Sequence, residues 1–256
     1  MSSFPDHFSG VAGAYAERRP HYTRQLFTWL AGLAAQRELA WDCATGSGQA
    51  AVGLADHFER VIATDASEAQ IAAAVAHPRV EYRVAPAESS GLASDSADVV
   101  TVGQALHWFD RPSFYAEVRR VLRPDGVVAA WTYGLSFLGD PRADAALRRF
   151  YSETVGPYWP RERALVDSRY RTIEFPFDEV TPPEIVMEEQ WPLPAFLGYV
   201  GTWSAVTRFR AERGFDPVAG LAEELRLHWG DPTAPRRILW PLAIRAGRIR
   251  KEEANP

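Results

Sequence analysis

Trp41-Asp42-Cys43-Ala44-Thr45-Gly46-Ser47-Gly48 ends a short apolar run, Leu39–Cys43, on an acid and turns through Gly-x-Gly into the alanine-rich stretch 49–57. Glycines are needed where a backbone takes positive φ or passes close to a ligand. The start of the following helix would present free N–H groups, a favourable place for an anionic or carboxylate-bearing ligand. Taken alone, the same residues also suit a plain tight turn from strand to helix.

The neighbouring sequence repeats the pattern. A second apolar run at 61–64 stops at Asp65, and 67–76 is helical in character with Ser67 as N-cap. Strand candidates follow at 80–85 and 99–103, a helix at 113–122 and a fifth strand at 127–133. Short apolar strands alternating with helices indicate βαβ units and a parallel sheet buried on both faces. The first 134 residues therefore read as a doubly wound α/β sheet. Upstream, 10–36 reads as two helical pieces broken at Pro20. Downstream, 141–156, 195–210 and Val218–Trp229 read as helices among many prolines, and 237–248 as a last strand at or near the sheet edge. The expected organisation is a single domain over 1–256. Helices over 1–36 cover the ligand, 37–134 is the binding core, 135–236 is a helical lid insertion over the substrate, and 237–250 is the final strand.

Composition narrows the function. The chain has 256 residues, 46% of them hydrophobic, enough for a sizeable core. A net charge of -5, with arginines scattered, does not suit a general nucleic-acid binder, which needs clustered cations. The densest basic stretches, Arg236–Arg237 and Arg245, Arg248, Arg250 and Lys251, read as solvated surface around the last strand. Cys43 is the single cysteine, so no internal disulfide forms, and it reads as a small apolar filler of the first strand. The first residues, Met1-Ser-Ser-Phe-Pro-Asp-His-Phe, lack the pattern of a secretory signal, and no apolar run is long enough to span a membrane. A cytoplasmic protein acting without a membrane or nucleic acid is expected.

Asp65 ends the second strand, where doubly wound folds face the ribose of a nucleoside and a carboxylate accepts from both hydroxyls. It is also placed to cap the next helix. Gly46-x-Gly48-x-x-Ala51 fits the dinucleotide fingerprint as well, so a nicotinamide-dependent oxidoreductase stays open at this point. The run Asp98-Val-Val-Thr-Val-Gly-Gln-Ala-Leu-His-Trp-Phe-Asp110 then ends the fourth strand in a polar and aromatic cluster, followed by Val121-Leu-Arg-Pro-Asp-Gly126 before the fifth.

With these motifs the sequence resembles class I S-adenosylmethionine-dependent methyltransferases of the type 11 group, related to trans-aconitate and quinone-biosynthesis methyltransferases. The matches are Asp42, Gly46 and Gly48; Asp65; Ala87-Glu88; Gln104-Ala-Leu-His107-Trp108-Phe109, the most specific; and Leu122-Arg-Pro124-Asp-Gly126. They cover roughly residues 4–134. Weaker matches follow at 202–205, 228–232 and 240–242. Ala44 departs from the pattern, since many members have glycine there; alanine fits if that residue avoids positive φ.

The resemblance implies a seven-stranded, mostly parallel Rossmann-like sheet with helices on both faces, and S-adenosyl-L-methionine as cofactor. Ala44, Gly46 and Gly48 would pass close to its amino-acid part. Asp42 would bind its amino group, directly or through water, and Asp65 the ribose hydroxyls, with Ala66 beside it. Ala87 and Glu88 would lie near the adenine, and Gln104 beside the cofactor. His107 and Trp108 would border the transfer site. Phe8, Tyr15, Arg19-Pro20 and Tyr22 resemble the segment that closes over the cofactor, where an arginine such as Arg19 pairs with its carboxylate.

Methyl transfer from a sulfonium is an in-line displacement that needs orientation and, for a protonated acceptor, a base. His107 is the candidate base because histidine titrates near neutral pH. No spacing suggests a metal. The acceptor, a small molecule, would sit among aromatics of the later half: Tyr151, Tyr158, Trp159, Trp191, Phe196, Tyr199 and Trp203. A relative that binds the cofactor without turnover would carry the same binding motifs.

Overall fold

The computed structural model describes residues 19–249. Nine strands occur among them. They are β1 (Leu39–Cys43), β2 (Arg60–Asp65), β3 (Val80–Val84), β4 (Ala97–Gly103), β5 (Leu122–Thr132), β6 (Asp178–Val180), β7 (Val186–Trp191), β8 (Arg236–Pro241) and β9 (Ala243–Arg248). Seven form one sheet in the order β3-β2-β1-β4-β5-β9-β6, and β7 pairs with β8 alone. Strands β1 to β5 run parallel, while β9 is antiparallel to both β5 and β6.

The central strands are mostly apolar because both faces are covered. Their side chains alternate between two cores, as the two-residue period of a strand requires. Ala40, Val61, Ala63, Val99, Val127, Ala129 and Trp131 enter one core. Trp41, Cys43, Ile62, Val100, Val102, Val128 and Ala130 enter the other. The first face is covered by helix Arg24–Leu33, through Leu26, Phe27, Leu30 and Ala31, and by helices from the later half. Helix Arg111–Val121 covers the second with Phe114, Tyr115, Val118 and Val121.

The first five strands lie where the apolar runs put them. Ser67 caps helix Glu68–Ala72, accepting a hydrogen bond from the Gln70 N–H at 3.4 Å. The Leu122–Gly126 turn is taken into β5: Leu122 pairs with Ala97 and Val127 with Val99, so the residues between them bulge from the ladder.

The later half differs from expectation in three ways. The stretch 237–248 is two strands broken at Leu242; β8 joins β7, and only β9 enters the main sheet, near its edge as expected. The edge is β6, three residues drawn from the stretch expected as an insertion. The helix expected over 195–210 is two, Leu193–Val200 and Ser204–Arg213, interrupted at 201–203. Among the described residues no helix is long and apolar enough to cross a membrane.

Candidate active site

Strand order reverses between β1 and β4, so the connections leaving their C-terminal ends diverge and open a crevice, the usual ligand position in such sheets. The turn after β1 is built on Asp42. Strand register sets Asp42 beside Thr101, and the Thr101 hydroxyl donates to Asp42 Oδ1 at 2.7 Å. The Thr45 hydroxyl donates to Oδ2 at 2.6 Å. Asp42 is only 1% exposed, and burial raises its carboxyl to about 6 despite the two hydroxyl donors. It lies beneath the turn and outside the lining of the crevice.

Asp65 fixes the other side of that turn. Its Oδ2 accepts from the Gly46 N–H and its Oδ1 from the Ser67 N–H, each at 2.9 Å. Gly46 and Gly48 both hold positive φ, at 56° and 89°. At Gly48 a Cβ would also overlap the Tyr82 ring, whose Cζ would lie 2.9 Å away. Ala44 does not avoid positive φ, as a fitting alanine was expected to do. It sits at φ 55°, so the turn keeps the left-handed conformation at the cost of a Cβ contact that glycine would spare.

At the end of β4, Gln104 is again left-handed, with φ 58°. Its Nε2 donates to the Tyr133 carbonyl at 3.1 Å, and its Oε1 accepts from the Thr132 hydroxyl. The ends of β4 and β5 are thereby tied together. Tyr22 sets its ring edge-on to Trp131, with centroids 5.4 Å apart.

Two cavities meet here. A cleft of about 200 Å³ is lined by Ala44, Gly46, Asp65, Gln70, Gly103 and Phe109, among others. A chamber of about 670 Å³ adjoins it, walled by Trp159, Leu197, Tyr199, Trp203 and Val218. Arg19, Gln104, Trp108 and Tyr133 line both.

His107 faces the chamber from the short helical turn Leu106–Trp108 after β4. Its Nδ1 lies 2.8 Å from the hydroxyl of Tyr170, itself fully buried. Burial, with the charge of Arg163 adding to it, lowers the imidazole to about 3. The reason for expecting a base, titration near neutral pH, therefore does not hold at this histidine: the ring stays neutral and is a weak proton acceptor.

Of the other residues expected at the cofactor, Arg19, Ala44, Gly46, Asp65, Gln104 and Trp108 come together at the cleft. Ala66 is exposed, and Ala87 and Glu88 are half-buried and outside its lining. Tyr15 and Phe8 lie outside the described residues. Of the aromatics expected around the acceptor, Trp159, Tyr199 and Trp203 line the chamber, while Tyr151, Tyr158, Trp191 and Phe196 pack into the core beside it. Tyr133, Tyr170, Arg163 and Arg208 were not singled out in the sequence. Only Tyr133 had a signal, its place at the end of the fifth apolar run.

A family model described as a methyltransferase domain matches residues 41–130. A Dictyostelium discoideum protein named as a methyltransferase is 35% identical over 227 residues, 88% of this chain and 86% of that one. A solved structure from Anaeromyxobacter dehalogenans, described as a type II methyltransferase, is 54% identical with a TM-score of 0.86, over 90% of this chain and 97% of that one. The YcgJ protein of Bacillus subtilis, 17% identical with a TM-score of 0.51 over 89% and 98% of the two chains, shares the fold alone. The sheet order, the acid-bounded turn after β1 and the identity shared along most of the chain lead to one assignment: this chain belongs to the class I S-adenosylmethionine-dependent methyltransferases.

Proposed function

We propose that the chain transfers a methyl group to a small molecule seated in the chamber, from cofactor seated in the cleft. The observation that supports this most is the shared wall: Arg19, Gln104, Trp108 and Tyr133 line both cavities, so a donor in one and an acceptor in the other meet there. When bound, S-adenosylmethionine supplies an electrophilic methyl group on a sulfonium.

The residues present suit that cofactor. Each Asp65 oxygen takes one backbone N–H and, having a second lone pair, can accept from a ribose hydroxyl. At Gly46 the nearest atom to an added Cβ is Gln70 Oε1 at 3.8 Å, which leaves room for a ligand against the backbone. The rings of Tyr22, Trp108 and Tyr133 on the cleft wall suit a cationic centre. Asp42 acts from below, through the Thr45 and Thr101 hydroxyls that fix the turn. Arg19 is the partner for the cofactor carboxylate, and Ala66, Ala87 and Glu88 form the outer margin near the adenine. His107 and Trp108 orient the acceptor; with its imidazole held neutral, His107 positions by hydrogen bonding rather than by carrying a proton.

We infer further that 1–256 works as one domain in which 135–236 closes over the acceptor. The basic stretches support a small-molecule substrate over nucleic acid, since Arg237 and Arg245 are paired with Glu188 and Glu179, and Arg248 binds the Asp125 and Leu33 carbonyls. A single buried cysteine suits the cytoplasm.

Thermal unfolding with S-adenosylhomocysteine, and with NAD as control, tests the reading. A ligand at 100 times its Kd stabilises by about 2.7 kcal/mol. A rise with S-adenosylhomocysteine and none with NAD is expected; a rise with NAD alone makes the cleft a dinucleotide site and the reading wrong.

A further inference from the structure

The chamber is strongly unbalanced in charge. Four arginines, Arg19, Arg163, Arg208 and Arg210, line it against one acid, Asp216, among the described residues. That acid is already engaged, since Arg210 Nη2 donates to Asp216 Oδ2 at 2.8 Å while Nη1 donates to the Gly201 carbonyl at 3.0 Å. Arg163 uses only its Nε, which donates to the Tyr151 hydroxyl at 2.6 Å, with the Asp167 carboxylate 3.4 Å away. Its guanidinium lies over the Trp159 ring, 4.5 Å from the centroid, which fixes its plane at the chamber wall. Arg208 is half-buried on helix Ser204–Arg213 and makes no hydrogen bond or ion pair among the described residues.

Arg208 thus stands in a partly enclosed, aromatic-walled space without a counter-ion among the described residues, and Arg163 keeps both Nη groups unengaged; water screens such charges less than at an open surface. The five donors of a guanidinium in a fixed fork match a carboxylate or phosphate. The Arg163 charge reaches His107 as well, adding to the effect of burial in lowering its imidazole. Trp159, Leu197, Trp203 and Val218 give another part of the wall an apolar surface. The chamber therefore offers cations at one part and an apolar surface at another.

We propose that the acceptor is an organic anion, a carboxylate or phosphate carried on an apolar body, with Arg208 and Arg163 holding the anionic group and thereby determining specificity. The proposal rests on the reading of the chamber as the acceptor site.

The test is calorimetric titration of the full chain, with and without S-adenosylhomocysteine, using phenylacetate, phenyl phosphate and the neutral isostere phenylacetamide. The anions are expected to bind at least about tenfold more tightly than the amide, the effect of one charge-assisted pair. Arg208→Gln is expected to remove most of that preference and Arg208→Lys to keep most of it, each with an unfolding temperature near that of the native chain. Comparing phenylacetate with phenyl phosphate tells which anion the fork prefers. Equal binding of amide and acids, no saturable binding of either anion at millimolar concentration, or an unchanged preference in Arg208→Gln overturns the proposal. Failure of S-adenosylhomocysteine to bind strikes the methyltransferase site instead, and the anion preference of the unliganded chain is then still decided by the same titrations.

Discussion

The Tyr170 hydroxyl sits 2.8 Å from His107 Nδ1, joining a residue that follows β4 to one 63 positions later, with both side chains buried. The bond fixes the ring so that its other edge serves the chamber. The imidazole is held near 3, so its folded value lies below that of the unfolded chain. Between about pH 3 and 6.5 the unfolded state then binds the extra proton, and stability falls as the solution is acidified through that window. The full effect is on the order of 4–5 kcal/mol. The His107 ring resonances are expected to stay fixed between pH 5 and 8 in NMR spectra; a midpoint near 6.5 would show that the ring is a free base after all. Tyr170→Phe, which leaves Nδ1 without its partner, is expected to cost about 1–3 kcal/mol in denaturant unfolding.

Asp42 has the opposite slope. Its carboxyl is raised by burial to about 6, so between about pH 4 and 6 the folded state holds a proton that the unfolded state has released. Stability contributed at this position therefore falls as pH rises, by roughly 3 kcal/mol across the window. Asp42→Asn removes the titration while keeping one oxygen to accept from Thr45 or Thr101. The stability difference between variant and native chain is expected to grow in the variant's favour from pH 4 to pH 6 and then level off. A difference that does not change with pH would mean that Asp42 ionises as an ordinary surface carboxylate does.

How much of this was legible follows from where each feature gets its stability. Strands β1 to β5 are buried on both faces, so their sequences are apolar runs and can be read directly; Leu39–Cys43 has the bounds expected of it. β6 is Asp-Glu-Val, and β7 carries Glu188, Glu189 and Gln190. Such strands exist because a partner offers an edge, and nothing local announces them. β8 and β9 read as one strand although Pro241, which ends β8 just before the break at Leu242, is the residue that could have marked it. The first turn was legible through its glycines and acids, although the left-handed Ala44 was not. The chamber was legible only as an aromatic-rich half. Arg163 and Arg208 reach it, and Tyr170 reaches His107, through tertiary packing that no spacing in the sequence announces.

Gly48 carries two separable constraints. An alanine there would have to hold φ 89° and would overlap the Tyr82 ring, whose hydroxyl donates to the Val75 carbonyl at 2.7 Å. Gly48→Ala is expected to lose about 1–2 kcal/mol for the backbone conformation and a further ~1–3 kcal/mol for the overlap. Tyr82→Ala in the same chain removes only the second. In a double-mutant cycle read by denaturant unfolding, the pair should therefore be less destabilised than the sum of the single variants. Strict additivity would mean that backbone conformation alone demands glycine at this turn.

Asp65 tests the cofactor assignment, and the choice of substitution decides what is learned. Asp65→Ala removes the acceptors of both the Gly46 and Ser67 N–H groups, so a loss of ligand affinity could come from a disordered turn. Asp65→Asn keeps one oxygen acceptor and nearly the same shape, while replacing the other oxygen by a donor and removing the charge. A ribose diol held by a carboxylate would lose one charge-assisted bond, and S-adenosylhomocysteine affinity is expected to fall about tenfold to a hundredfold. The unfolding temperature without ligand, measured alongside, reports the turn itself. Weakened affinity with a nearly unchanged unfolding temperature assigns Asp65 to the ribose. Unchanged affinity with a lowered unfolding temperature confines it to holding the turn, and the diol would then need another acceptor on the cleft wall.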